Sequence, residues 1–180
     1  MYKFLIKSIL LLVFSTFIGF GCKDKIEKPK TSKDIYQSYK DNGVGAVFSV
    51  PPGLASVFLD DEQTGNAELK EILSDINHLS FLIIPNNGDI KESHYYSELD
   101  SRLNDINFQN FAMINSGNEI VKVKVLHDIN ENISEMIILV SNYDNLFCVS
   151  FKGNINLEKI ANLTKPENMG AVTNLNRFKL

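Results

Sequence analysis

From residue 119 the chain alternates between apolar and charged positions. In EIVKVKVLH (119–127), Val121, Val123 and Val125 fall on one side of an extended backbone, and Lys122 and Lys124 fall on the other. Period two predicts a strand with one buried face and one wet face. SEMIILVS (134–141) and LFCVSFKG (146–153) read as two further strands joined through NYDN in a hairpin, and FQNFAMI (108–114) reads as the strand before them. Upstream the pattern is helical. Leu69, Ile72, Leu73 and Ile76 recur at helical spacing, as do Tyr95, Leu99, Leu103 and Ile106, with Glu98 and Arg102 an i,i+4 pair on the outer side.

Shorter elements complete the pattern. VGAVFSV (44–50) is a strand stopped by Pro51-Pro52, GLASVFL (53–59) a short helix, and HLSFLIIP (78–85) a buried strand ended by Pro85. Asn156 suits an N-cap, with Ile155 placed to staple onto Ile160. Helices early and a strand meander late predict an α+β domain: one mostly antiparallel sheet with helices packed on one face.

The first 33 residues follow neither period. Met1 to Lys7 carries two lysines and no acid, and residues 8–20, SILLLVFSTFIGF, are uncharged up to Gly21-Cys22. That order describes an export signal, and the apolar run between Lys7 and Lys23 is shorter than the roughly 20 residues a membrane-spanning helix needs. The setting of Cys22 resembles the lipobox of bacterial lipoproteins, in which the cysteine is acylated and becomes the new N-terminus. Gly21 fits that pattern; Gly19 and Phe20 depart from its preference for an aliphatic and a small residue. An ordinary signal peptide cut after Gly21 would instead leave Cys22 as an unmodified thiol. A disulfide to Cys148 is the poorer reading, because bridge-stabilised exported scaffolds carry several pairs and this chain has two cysteines.

Residues 23–33, KDKIEKPKTSK, are charged and poor in apolar groups, so they read as a tether. The expected organisation is therefore a leader at 1–21, a lipidated Cys22 with its tether at 22–33, a domain at 34–165, and a loose polar tail at 166–180. Without Lys3 and Lys7 the balance is 16 basic against 22 acidic residues, a formal −6. That balance argues against nucleic acid as a partner, since phosphates demand clustered cations.

Three stretches carry a resemblance: GAVFSVPPGL, the KVKV strand, and above all SEMIILVSNYDNLFCVSFKGNINLEKIANL. Over roughly Ile35 to Leu163 the chain is similar to a family of small exported lipoproteins of gram-negative bacteria, known as a domain of unknown function numbered forty-two fifty-two. The resemblance implies an envelope setting, with some members associated with extracytoplasmic-function sigma-factor systems. It implies no catalytic residue.

Candidate chemistry is sparse. His78, His94 and His127 lack the close spacing of metal ligands. Asp60-Asp61-Glu62 lacks the alternating oxygens, central Gly and distal Glu of a calcium loop, so it reads as a solvated acidic loop. Cys148 lies in an apolar strand, which raises a thiol's pKa rather than activating it. Gly43-Val44-Gly45 is too short to cradle phosphate, and Tyr95-Tyr96 has at least Tyr95 directed to the core. No catalytic, cofactor-binding or metal-ligating set is assigned; the one site residue is Cys22, for lipidation.

Two functions remain in view. One is a membrane-anchored envelope lipoprotein acting as a non-catalytic interaction or regulatory module, its partners being the membrane, through Cys22, and an envelope protein. The other is a small envelope enzyme or ligand binder with a pocket built from dispersed residues such as His94, Tyr96 and Asp100.

Overall fold

In the computed structural model, which describes residues 29–60, 62–86 and 94–175, Thr31 opens the first helix. Its hydroxyl accepts from the Asp34 amide at 3.2 Å while Asp34 accepts from the Thr31 amide at 3.0 Å, a reciprocal capping box that starts α1 (Ser32–Asp41). The leader, Cys22, the tether as far as residue 28, and Asp61 lie outside the described residues. The chain continues through β1 (Ala46–Val50), α2 (Pro52–Val57), α3 (Asn66–Asp75), β2 (Ile76–Pro85), α4 (His94–Asp105), β3 (Gln109–Ser116), β4 (Glu119–His127), β5 (Ile133–Ser141), β6 (Asn145–Ile155), α5 (Leu157–Leu163) and α6 (Met169–Asn174).

The six strands form one sheet in the order β1-β2-β6-β5-β4-β3, every pairing antiparallel. β3 to β6 are the expected meander, and β2 adds to the free side of β6. The α+β class and the single antiparallel sheet follow the sequence pattern. The helices, however, divide between the two faces. One face, with Phe81, Val123, Ile138 and Phe151, is covered by α3, α5 and the C-terminal segment. The other, with Leu82, Ile137, Leu139 and Cys148, is covered by Ile35, Tyr36 and Tyr39 of α1 and by Leu99 and Leu103 of α4. The reason is visible in β5 and β6, whose side chains are apolar at both alternating sets of positions and need cover on both sides.

Two sequence expectations change as a result. Lys122 and Lys124 do not point into water: both are buried, Lys124 completely, because α4 lies over their face of the sheet. The C-terminal segment is not loose from Pro166 onward. Met169–Asn174 is helical, and Ala171, Val172 and Leu175 join the core. Gly65, at φ +86°, caps α3 and touches this segment so closely that a Cβ there would lie 2.3 Å from the Asn168 carbonyl oxygen.

Candidate functional site

The second face of the sheet holds the buried polar chemistry of the domain. Asp100 and Asn104, one turn apart on α4, look down on β4 and β3. Lys124 Nζ donates to Asp100, Asn104 and Asn110 at 2.7 Å each, so all three of its N–H bonds are used. Lys122 donates to the other Asp100 oxygen at 2.7 Å, and its Nζ sits 5.3 Å from the centre of the Tyr96 ring. Burial alone would raise the Asp100 pKa, but the hydrogen bonds and charges of Lys122 and Lys124 outweigh it and hold the carboxyl below the usual range. Lys122 moves the opposite way: burial opposes its charge, while Asp100 and Tyr96 outweigh that and raise its pKa. An ion cluster closed on itself is suited to fastening α4 onto the sheet rather than to reacting.

A second polar group lies under the start of α1. Glu135, buried on β5, accepts at 2.5 Å from the hydroxyls of Ser32 and Ser150. Near it the Tyr36 hydroxyl lies 2.8 Å from the Cys148 sulfur. Burial pushes the Cys148 thiol up to about 12, against the opposing hydrogen bond from Tyr36, so the thiol stays protonated and unreactive at neutral pH.

The fold disperses most of the residues singled out in the sequence. His78 is on β2, its Nε2 3.4 Å from the Ser49 hydroxyl; His94 is exposed at the start of α4, 3.5 Å from Glu98; His127 ends β4. Among the described residues no three His, Cys, Asp or Glu side chains gather as a metal site requires. Of the trio His94, Tyr96 and Asp100, the fold brings Tyr96 and Asp100 together around Lys122 and leaves His94 outside. Asp60 accepts from the Glu62 amide at 3.0 Å in a local turn. Gly43, at φ +68°, turns the chain out of α1, and Gly45 lies close against β2. Tyr95 is half-buried and meets Tyr39 edge-on at 6.3 Å. The Lys122–Lys124 cluster and Glu135 lie outside what the sequence pattern predicts. A signal for Glu135 is nevertheless present: it is the one charged residue in a largely apolar strand, in phase with Ile137 and Leu139.

Three surface hollows lie at one end of the sheet, around the β4–β5 turn and the β6–α5 junction. One of them has a volume of about 430 Å³ and is lined by His127, Glu131, Asn132, Asn154 and Asn156 over Ile133 and Ile155. It is open and polar.

Residues 39–163 match the family described as a domain of unknown function, DUF4252, a span that runs from the end of α1 through α5 and takes in most of both cores. The chain belongs to that family. No curated protein and no solved structure is a match. The matched segment begins inside α1 and ends before α6, so Ser32 and the helix at Met169–Asn174 lie outside it. Among the described residues no helix is long and apolar enough to cross a membrane.

Proposed function

We propose that this DUF4252 protein is an envelope lipoprotein, held on a membrane through an acylated Cys22, whose domain acts by contact with an envelope partner rather than by catalysis. The observation that carries the reading is the N-terminal order: two lysines, an uncharged apolar run, Gly21-Cys22, then a short charged tether leading into a helix capped at Thr31. Several acyl chains on one cysteine, at about 0.8 kcal/mol per buried methylene, would give an anchor of long lifetime. The use of the buried polar groups supports the non-catalytic part. Lys122, Lys124, Asp100 and Glu135 are engaged with one another or with neighbouring hydroxyls and amides.

Metabolic labelling with a fatty-acid analogue tests the anchor. The wild-type protein is expected to take up label and sediment with membranes, and Cys22→Ala to do neither. Equal labelling of the two would refute the reading. Cross-linking in intact envelopes followed by recovery of the protein tests the contact role. A second reading, a ligand-binding protein, is favoured by the hollow beside His127 and Glu131 rather than by the trio on α4.

A further inference from the structure

Five of the seven large apolar side chains left exposed among the described residues lie in segments that leave the sheet at one end. Val50, Leu79, Phe151, Met136 and Val125 form a continuous row across five strands. Beyond that row β1 runs through Pro51 into α2, with Leu54, Val57 and Phe58 exposed; β4 runs into the turn with Ile129, 98% exposed; and β6 runs into Leu157. Each of the five keeps half or more of its surface in solvent. The first turn of α1 is fastened at this same end, since Ser32 bonds Glu135, which precedes Met136 on β5. The root of the tether and the exposed apolar side chains therefore share one pole.

We infer that this pole is a membrane-contact face: Leu54, Val57, Phe58, Ile129 and Leu157 rest on the bilayer that holds Cys22, and this rests on the anchor reading above. The chain outside the described domain sets the reach. Nine residues separate Cys22 from the capped start of α1 at Ser32. Fully extended, the link from Cys22 to Ser32 spans at most about 36 Å. A domain held that closely meets the bilayer far more often than it meets any free partner. The surface suits a lipid interface: Gly43 to Leu59 carries no charged residue, and the exposed groups are aliphatic or phenyl rather than the Tyr and Arg that enrich protein interfaces. Asp60, Asp128, Glu131 and the polar hollow beside His127 stand at the same pole, so the contact is made by the apolar side chains standing out among them and needs no anionic lipid.

The test uses the full-length acylated protein in vesicles of phosphatidylcholine and phosphatidylethanolamine, with a nitroxide at one of three exposed positions. Val57→Cys and Ile129→Cys lie on the proposed face, and Tyr143→Cys lies in the β5–β6 turn at the opposite pole. Nitroxides at 57 and 129 are expected to show higher accessibility to oxygen relative to a water-soluble nickel chelate than one at 143, with the difference kept at high salt. Acylated protein that sediments with vesicles but shows equal aqueous accessibility at all three positions would overturn the inference while leaving the anchor intact. A nitroxide at 57 shielded from both reagents would assign the patch to a protein partner or a second copy, and so also overturn it. Protein without acyl label at Cys22 would overturn the anchor reading first and this one with it.

Discussion

Lys124 on β4 and Asp100 on α4 meet at 2.7 Å although they are 24 positions apart in the chain, and the lysine is wholly withdrawn from water. Asp100 is also the partner of Lys122, so a single carboxylate answers two buried ammonium groups. Removing it leaves both cations without a counter-charge. Asp100→Ala is expected to lower the unfolding free energy by about 3–5 kcal/mol. Lys124→Met, which keeps the volume and leaves Asp100 paired with Lys122, should lose less. Urea unfolding of the two variants decides the order; a milder effect at Asp100 would contradict the cluster.

The same cluster sets a pH dependence. Asp100 has a folded-state pKa below its unfolded one, so its contribution is complete above the unfolded value and is lost as pH falls through the lower folded value. Lys122, raised on folding, contributes below its unfolded value and loses that contribution as pH rises through the higher folded one. Melting temperatures should therefore fall on the acid side below about pH 4, the ordinary aspartate value. Asp100→Asn, already less stable, should show a shallower fall there. A parallel acid limb in wild type and Asp100→Asn would mean that other carboxylates carry it.

The distance between the readable and the unreadable parts of this chain is physical. Periodicity locates β4, α3 and α4, whose apolar residues share one face; apolar runs bounded by prolines and turn residues mark β1, β2, β5 and β6, the prolines mark α2, and the Asn156 cap marks α5. Lys122 and Lys124 defeat the same logic, since KVKV looks identical whether its charged side meets water or a helix bearing Asp100 and Asn104. Only the tertiary placement of α4 separates the two cases. Helix α1 escapes the apolar pattern because SKDIYQSYKD has three buried apolar side chains among polar ones, yet its Thr31 to Asp34 spacing is a capping-box signal that the sequence does contain. Helix α6 offers no such signal; Gly65 and Asn168 hold its approach by contact. The lipobox-like setting on which the proposed anchor at Cys22 rests needs no fold to be read, whereas the pole of exposed apolar segments emerges only once strand register aligns Val50 with Met136 and Val125.

Gly65 provides a direct test of that C-terminal contact. Its backbone lies at φ +86°, which L side chains rarely adopt, and a Cβ would meet Asn168 backbone atoms at 2.3–2.8 Å. Gly65→Ala is expected to destabilise by about 1–3 kcal/mol. Gly53, in α2, has open space within 4 Å of the place a Cβ would take, and Gly53→Ala should be neutral or stabilising by up to about 1 kcal/mol. Thermal melts of the two variants should move in opposite directions or differ by several degrees. Equal melts would mean that the C-terminal segment yields freely.

Cys148 tests the second face from the inside. The sulfur is fully buried on β6, which lies between β5 and β2, and is within 2.8 Å of the Tyr36 hydroxyl; its thiol is pushed up to about 12 chiefly by burial. The thiolate is the reactive form, and neither it nor access for a reagent is available in the folded state. In the Cys22→Ala protein, where Cys148 is the remaining thiol, a water-soluble disulfide reagent at pH 8 is therefore expected to titrate no sulfur in the native state and one after urea unfolding. Tyr36→Phe should keep the thiol silent, because burial rather than the hydroxyl protects it, while lowering stability by about 1 kcal/mol for the lost hydrogen bond. Rapid reaction of the native domain would show that α1 lifts from the sheet on the timescale of the assay, and Ser32→Ala, which removes its bond to Glu135, should then accelerate the reaction further.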